Sequence, residues 1–200
     1  MGASKTSARK ASRTFEFTSV TVEATQSLGE RLGGLLRAGD VLALHGELGS
    51  GKTTLVQGIA RGAGCEPRAV RSPTFVLMRE YAGRAPLIHI DGYRLSGAPQ
   101  AAWLDIEQLF APEKITVIEW AERLEGLLPD DHLELALSHV STNRRRIAVT
   151  GTGARSAEMA SQLEAAAADL QPAPQPGQES GGGQDAADAR EGKDGNAAGD

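Results

Sequence analysis

A glycine-rich stretch, Gly46–Thr53, contains the residues of this chain that are best suited to carry out chemistry. Its spacing, G-x-x-x-x-G-K-T, is that of a phosphate-binding loop. Glycines let such a loop curl tightly, so that its backbone amides point at phosphate oxygens. The ammonium group of Lys52 would reach the β- and γ-phosphates, and the hydroxyl of Thr53 would bind Mg²⁺. The spacing predicts a nucleoside-triphosphate site; the simpler alternative is a glycine-rich turn before a helix.

The segments on either side of this loop are those that a phosphate site requires. The apolar run Val41–Leu44 predicts a buried strand, and Thr54–Arg61 predicts a helix whose N-terminus favours bound anions. Further short strands and helices follow along the chain. Together they predict a three-layer α/β fold, like that of the phosphate-loop NTPases, with a mixed, largely parallel central sheet and antiparallel hairpins at its edges.

Two acidic residues follow short apolar runs that read as buried strands. Asp91 comes directly after Leu87–Ile90, and Glu119 comes directly after Ile115–Ile118. A phosphate loop needs a carboxylate opposite it, near the end of a neighbouring strand, to orient Mg²⁺ directly or through water. Either acid alone could simply be a polar residue that ends a strand. Spacing does not decide which of the two would contact the metal.

Other polar side chains near these motifs have a structural alternative to a functional role. Thr74 could sense a γ-phosphate, but a threonine after proline is typical of turns. His89, in an alternating strand, favours a packed or hydrogen-bonded role over catalysis. Arg94 and Arg144 could neutralise phosphate charge or lie on the surface, and Trp120 could stack on a ligand or pack in the core.

Composition divides the chain into three parts. Residues 1–14 are basic and lack an apolar period, which predicts a disordered head, and residues 15–153 carry the strand and helix patterns of the domain that contains the phosphate loop. Residues 154–200 are acidic and rich in Gly, Ala and Gln, which predicts a disordered tail, although a weak alanine-rich helix could form over 156–170. The truncation hypothesis that follows is that the tail after about residue 155 is dispensable.

Charge and cysteine content exclude several classes of function. The formal net charge is -5, and a mildly acidic body argues against a broad nucleic-acid-binding face. The single cysteine, Cys65, excludes a disulfide framework and a cysteine zinc cluster. No apolar run approaches membrane-spanning length, and the head lacks the apolar core of a signal peptide, so the expectation is a cytoplasmic protein that does not contact membranes.

Four motifs occur in a fixed order along the chain. They are Gly46–Thr54, Ser72–Phe75, His89–Leu95 and Ile118–Glu122. Over about residues 15–150, this set resembles the TsaE family, the small ATPases of bacterial tRNA threonylcarbamoyladenosine biosynthesis. The resemblance implies an ATP- and Mg²⁺-dependent enzyme that acts on the TsaD–TsaB complex and lets it reset between turnovers. It would meet tRNA only indirectly, through that complex.

The resemblance also assigns roles to individual residues. It implies that Thr53 and Glu119 coordinate Mg²⁺, that Asp91 orients the metal or a water, and that Thr74 belongs to a nucleotide-sensing loop. The segment near Val22–Thr25 would border the base. The implied catalytic residues are Lys52, Asp91, Glu119 and Trp120. The implied nucleotide-binding residues are Gly49, Ser50, Gly51, Lys52, Thr53, Thr54, Asp91 and Arg144.

The chain also departs from the family pattern, and two other functions remain open. Gly92 stands where the family usually has a bulky residue, which could loosen the local geometry. One alternative function is a small-molecule kinase with a phosphate loop; the small body and the short connection 92–99 argue against it, because such kinases need an acceptor pocket and a lid. The other is a nucleotide-gated interaction module with negligible turnover.

Overall fold

The computed structural model describes residues 13–66, 70–73, 76–95 and 106–170. Thr74 lies outside the described residues. The sequence also predicts a helix over about 98–110, and the first part of that span lies outside the described residues as well. The strands within them are β1 Arg13–Ser19, β2 Val41–His45, β3 Met78–Tyr81, β4 Leu87–Asp91, β5 Ile115–Glu119, β6 Leu133–His139 and β7 Arg145–Gly151. The α-helices are α1 Val22–Leu35, α2 Lys52–Gly62, α3 Ile106–Leu109 and α4 Ala154–Ala166. Short 3-10 helices cover Gly92–Arg94, Ala121–Leu124 and Ala168–Leu170.

The described strands form one seven-stranded sheet in the order β1-β7-β6-β2-β5-β4-β3. Its centre is parallel: β2 pairs with both β5 and β6, and β5 pairs with β4. Antiparallel pairs extend it on both sides, through β3 on β4 and through β7 between β6 and β1. This confirms the predicted mixed sheet with antiparallel hairpins at its edges. The ends where the parallel strands finish are called the carboxyl edge below, and the opposite ends the amino edge.

The sheet separates two apolar cores. Alternate residues of β2 enter different cores: Leu42 and Leu44 pack toward α1, α2 and α4, whereas Val41 and Ala43 pack toward α3 and the 3-10 helix at Ala121–Leu124. Central parallel strands are covered on both faces, so their sequences are continuously apolar rather than alternating. The structure thereby confirms the three-layer arrangement.

Helices α1 and α2 pack against each other at unusually short range. Glycines at equivalent spacing on both helices leave the backbones in contact: a Cβ added at Gly33 would lie 2.1 Å from the carbonyl oxygen of Ile59, and one added at Gly62 would lie 1.9 Å from that of Glu30. No side chain could occupy those positions without separating the helices. This contact fixes the first turn of α1 beside the phosphate loop that begins α2.

Several element boundaries differ from the sequence expectation. The spacing of Ser27 and Glu30 is that of a capping box and predicts a helix start near Ser27. The helix begins earlier, and Thr21 caps it, with its hydroxyl accepting the amide of Ala24 at 3.0 Å. Strand β1 begins at Arg13 rather than Phe15, so the basic head predicted for 1–14 overlaps the sheet by two residues. Strand β3 begins at Met78, because Leu77 has a left-handed backbone with φ of 64°.

The prediction that residues 154–200 form a disordered tail is wrong for its first part. Helix α4 packs against the larger core with Met159 and Leu163, which are 1% and 0% exposed. Its first turn is tied to the body by Arg155, whose Nη2 lies 2.8 Å from Oδ2 of Asp40, and by Asp131, which accepts the amides of Arg155 and Ser156 at 2.9 Å. Apolar contacts with the sheet therefore stabilise this alanine-rich helix beyond what its intrinsic helix propensity provides. Residues 171–200 lie outside the described part.

The structure also bears on the single cysteine and on the expectation about membranes. Cys65 is buried and free, and burial raises the pKa of its thiol, in keeping with a packing role. None of the helices that the structure describes is long and apolar enough to span a bilayer.

Candidate functional site

The phosphate-binding loop connects β2 to α2 at the carboxyl edge of the sheet. Three glycines in it, Gly46, Gly49 and Gly51, have positive φ angles of 138°, 76° and 104°. A Cβ at Gly46 would lie 2.3 Å from the carbonyl oxygen of Leu137 on the neighbouring strand. Both the backbone conformation and the close approach therefore require glycine at that position. The loop has the tight curl that directs amides toward a bound anion.

Lys52, the first residue of α2, turns back over this loop. Its Nζ donates to the carbonyl oxygens of Gly46 at 2.6 Å and Glu47 at 3.0 Å, and lies 3.8 Å from the ring centre of Trp120. The side chain is only 5% exposed, and burial lowers the pKa of its ammonium group against the opposing influence of nearby Glu119. A phosphate oxygen is a stronger acceptor for a cation than either carbonyl. Lys52 is therefore placed to exchange these contacts for an anionic ligand.

Thr53 and Glu119 are in direct contact. The Thr53 hydroxyl donates to both carboxylate oxygens of Glu119, at 2.9 Å each. Glu119 ends β5 and is 3% exposed, and the pairing of β5 with β2 places it opposite Leu44, just before the loop. On its other side, Nε2 of His89 lies 2.9 Å from Oε1 of Glu119. The two residues expected to hold Mg²⁺ are thus brought together from elements 66 residues apart.

Asp91 lies directly beside Glu119 at the same edge. The two residues are register partners in the parallel β4–β5 pair, so their carboxylates share one face of the sheet. Oδ2 of Asp91 accepts the Ser72 hydroxyl at 2.6 Å, and Oδ1 accepts the amide of Tyr93 at 3.0 Å. These bonds hold a buried carboxylate at the cleft, and its role in orienting a metal or a water stays a prediction.

Trp120 adopts a left-handed backbone, with φ of 57° and ψ of 46°. Such a conformation costs a non-glycine residue on the order of 1 kcal/mol or more. It sets the indole ring over Lys52 and 5.1 Å from the ring of Tyr93. Gly92 does not loosen this region: it is buried, and a Cβ there would lie 2.8 Å from the carbonyl oxygen of Trp120. Gly92 therefore allows the two segments to pack closely.

Two adjoining clefts flank the loop, and both are lined by Gly49, Gly51 and Thr54. The cleft over Thr53 and Glu119 has a volume of about 480 Å³. It is lined further by Leu48, Lys52, Thr53, Ser72, Asp91, Tyr93, Glu119 and Trp120. The second cleft, of about 330 Å³, is lined further by Val20, Thr21, Val22, Thr25, Thr142, Asn143 and Arg145. Together they have the size of a small-molecule binding site.

The structure places most of the expected site residues in these clefts, with three qualifications. Ser50 is fully buried beneath the loop, and its hydroxyl has no hydrogen-bond partner among the described residues. Arg144 is half-buried in the β6–β7 turn, and its neighbour Arg145 lines the second cleft. Thr74 lies outside the described residues. Val22 and Thr25 line the second cleft, and it stays a prediction that this segment borders the base.

Sequence reasoning missed the contacts of His89, Ser72 and Tyr93 with the two carboxylates. Ser72 and Tyr93 belong to motifs that had been singled out, and each bonds Asp91. Their place in those motifs was the sequence signal that could have indicated these contacts. For His89, the contact with Glu119 depends on the pairing of β4 with β5, which the sequence does not state.

The donor set fits magnesium bound together with a nucleotide. Within the described ranges, no cluster of three or more His, Cys, Asp and Glu side chains could hold a metal by itself. Mg²⁺ bound with nucleotides ordinarily takes one or two protein oxygens and completes its shell with phosphate oxygens and water. The Thr53 hydroxyl and the Glu119 carboxylate supply such oxygens. The unpaired Ser50 hydroxyl and the curled amides of the loop fit an anionic group beside them.

Comparison with known proteins gives a consistent result. The sequence model of the family described as threonylcarbamoyl adenosine biosynthesis protein TsaE matches residues 19–147. The tRNA threonylcarbamoyladenosine biosynthesis protein TsaE of Streptomyces coelicolor is 41% identical over 138 residues, which cover 65% of this chain and 92% of that protein. The Bacillus subtilis protein of the same name is 36% identical over 137 residues, covering 68% and 85%. The crystal structure of Bacillus subtilis YdiB superposes with a TM-score of 0.66 at 27% identity, covering 78% of this chain and 97% of that one.

Proposed function

We propose that this chain, which belongs to the TsaE family, binds ATP with Mg²⁺ and hydrolyses it in support of tRNA threonylcarbamoyladenosine modification. The observation that carries the proposal is the contact of Thr53 with Glu119 beneath the phosphate loop. A Thr hydroxyl at a helix start, held against a strand-terminal carboxylate, is the arrangement that positions Mg²⁺ in phosphate-loop nucleotide hydrolases. The role in tRNA modification is inferred from the names of the relatives. The ATP chemistry is inferred from the geometry of the site.

Each residue of the site has a role in this mechanism. The amides of the loop and the Lys52 ammonium would bind the β- and γ-phosphates, and Thr53 and Glu119 would hold Mg²⁺, which when bound would supply positive charge beside the phosphates. Asp91, fixed by Ser72 and the amide of Tyr93, orients the attacking water or the water shell of the metal. The carboxylate keeps its orientation because both of its oxygens are bonded.

The charges that line the larger cleft support dependence of hydrolysis on a partner. Among the described residues that line it, Lys52 is the one cation, facing two carboxylates. Phosphoryl transfer is accelerated by further positive charge near the equatorial oxygens, which a partner often supplies. Leu48 and Tyr93, at 79% and 50% exposed, form an apolar rim at the same cleft. We infer that the TsaD–TsaB complex docks near this rim and that turnover is fast only in that assembly.

Phosphate release measured with and without TsaD and TsaB tests this proposal. We expect tight Mg²⁺–ATP binding by the chain alone, slow release of phosphate, and at least about tenfold faster release with both partners. Transfer of phosphate to a small metabolite without the partners would instead identify a kinase. ATP-dependent assembly without hydrolysis in any mixture would identify a nucleotide-gated interaction module.

A further inference from the structure

His89 is a fully buried histidine at the centre of β4, beneath the proposed metal-binding pair. It is 0% exposed and is the register partner of Val117, two residues before the Asp91–Glu119 pair. Paired residues of parallel strands project from the same face, so the imidazole and the two carboxylates lie on one side of the sheet. Tyr81 packs near the ring, with centroids 6.3 Å apart.

The polar contacts of this imidazole are one-sided. Nε2 lies 2.9 Å from Oε1 of Glu119, whereas Nδ1 has no hydrogen-bond partner within the described part of the chain. An ionised carboxylate only accepts hydrogen bonds, so Nε2 must carry the proton in this contact. Histidines that merely stabilise a core ordinarily satisfy both nitrogens. Here the buried ring serves one contact, and that contact is with the carboxylate of the site.

The two oxygens of Glu119 differ in the number of donors that they contact. Thr53 donates to both oxygens, and His89 adds a second donor to Oε1. With Oε1 held from both sides, the carboxylate cannot rotate freely about its last side-chain torsion. Oε2 keeps more of its acceptor capacity for a metal ion or for water bound to it. Groups that orient a metal ligand in this way ordinarily change metal affinity when they are removed.

We propose that His89 is a positioning residue for the magnesium–nucleotide site, with its Nε2–H fixing the orientation of the Glu119 carboxylate. This inference rests on the proposed function, because it assumes that Glu119 faces Mg²⁺. It assigns His89 no contact with the nucleotide. A hydrogen-bond donor at the Nε2 position should therefore be needed for the gain in ATP affinity that Mg²⁺ gives. ATP affinity in the absence of Mg²⁺ should not depend on it.

Four variants test the proposal. His89→Gln places an amide donor near the position of Nε2, whereas the shorter His89→Asn does not reach it and His89→Leu has no donor. Thr116→Val is the matched control, because it removes another buried hydrogen bond, from the Thr116 hydroxyl to the carbonyl of Leu109, on the same strand as Glu119. The dissociation constant of ATP is measured by calorimetry for each variant in excess Mg²⁺ and in EDTA, together with the thermal unfolding midpoint.

We expect His89→Asn and His89→Leu to lower the gain in ATP affinity given by Mg²⁺ by about tenfold, and affinity in EDTA to stay within about twofold. His89→Gln should retain most of that gain, and Thr116→Val all of it. Equal Mg²⁺ dependence in the Gln and Asn variants would overturn the positioning role, even if the Leu variant did not fold. Failure of the wild-type chain to bind ATP in either buffer would overturn the proposed function itself.

Discussion

The buried charged side chains at the two edges of the parallel strands have different kinds of partner. At the carboxyl edge, the Lys52 cation is held by carbonyl oxygens, and Glu119 is held by a hydroxyl and an imidazole. At the amino edge, Asp40 is 7% exposed and forms a two-point ion pair with Arg155. The first arrangement leaves charge available for a ligand, whereas the second neutralises it within the fold. Burial alone therefore does not identify a functional charge; the nature of its partner does.

The largest expected effect is the loss of α4, which carries Arg155, one member of the ion pair at the amino edge. A chain that ends at Gly153 should lose about 5 kcal/mol or more of unfolding free energy, because burying Met159 and Leu163 each contributes about 1.5–3 kcal/mol. That loss is comparable to the whole stability of many domains of this size, at about 5–15 kcal/mol. Urea unfolding followed by circular dichroism measures it.

The matched control for that truncation is a chain that ends at Leu170, which keeps α4. We expect its unfolding midpoint to equal that of the full chain. Full stability in the chain that ends at Gly153 would show that α4 is an accessory of the fold. If the chain that ends at Gly153 is destabilised as expected, the hypothesis that the tail is dispensable after about residue 155 holds only beyond residue 170.

Replacing the cation of the carboxyl edge should affect binding rather than folding. Lys52→Met is expected to weaken ATP binding by about 100-fold, which is about 2.7 kcal/mol. Its unfolding midpoint should stay unchanged or rise slightly, because burial already disfavours the charged form of Lys52. Calorimetric titration and thermal unfolding of the same preparation check both expectations. A marked fall in stability would show that Lys52 is a structural charge.

The same substitution at the amino edge should have the opposite pattern. Arg155→Met leaves Asp40 with the amide of Arg37 as its hydrogen-bond donor, at 2.8 Å, and should cost about 2–3 kcal/mol of stability. ATP affinity of the folded variant should stay within about twofold, because Arg155 lies at the edge opposite the clefts. Weaker ATP binding with normal stability would contradict the contrast between the two edges.

The smallest expected effect concerns Asp131, which caps α4. Burial by itself would raise the pKa of its carboxyl, but hydrogen bonds from Ser156 and from the amide of Arg155 outweigh it and lower the pKa. A lowered pKa means that the carboxylate stabilises the fold above the unfolded-state value of about 3.9 and loses this effect as pH falls through the folded-state value. Asp131→Asn should therefore cost about 0.5–1 kcal/mol at pH 7. Unfolding curves from pH 7 down to about pH 2 should show the wild-type advantage disappearing.

The sequence was sufficient where a short segment determines its own structure. The phosphate loop, the strands that end at Asp91 and Glu119, and the β3–β4 hairpin are all confirmed. Loop spacing specifies backbone curvature, and a continuous apolar run specifies a strand covered on both faces. The pairing of Thr53 with Glu119 was implied by the family resemblance, whereas spacing alone left Asp91 and Glu119 as alternatives.

The sequence was insufficient where distant segments determine one another. Helix α4 has few large apolar residues, and its stabilising partners Asp40 and Asp131 come from other parts of the chain. The capping of α1 by Thr21 rather than Ser27 follows from the packing of its first turn, where Thr25 is buried against Ser19. Likewise, the bond from His89 to Glu119 depends on strand register. Pairings of this kind are not encoded in local spacing.

The central claim is that Glu119, bound to Thr53, holds the metal used for ATP hydrolysis. The most direct test is the rate of phosphate release by wild type, Glu119→Ala and the exposed control Glu125→Ala, each mixed with TsaD and TsaB and saturating Mg²⁺–ATP. We predict that Glu119→Ala still binds ATP in part but releases phosphate at least about 100-fold more slowly, while Glu125→Ala matches wild type. Unchanged turnover by Glu119→Ala in the assembled complex would contradict the account.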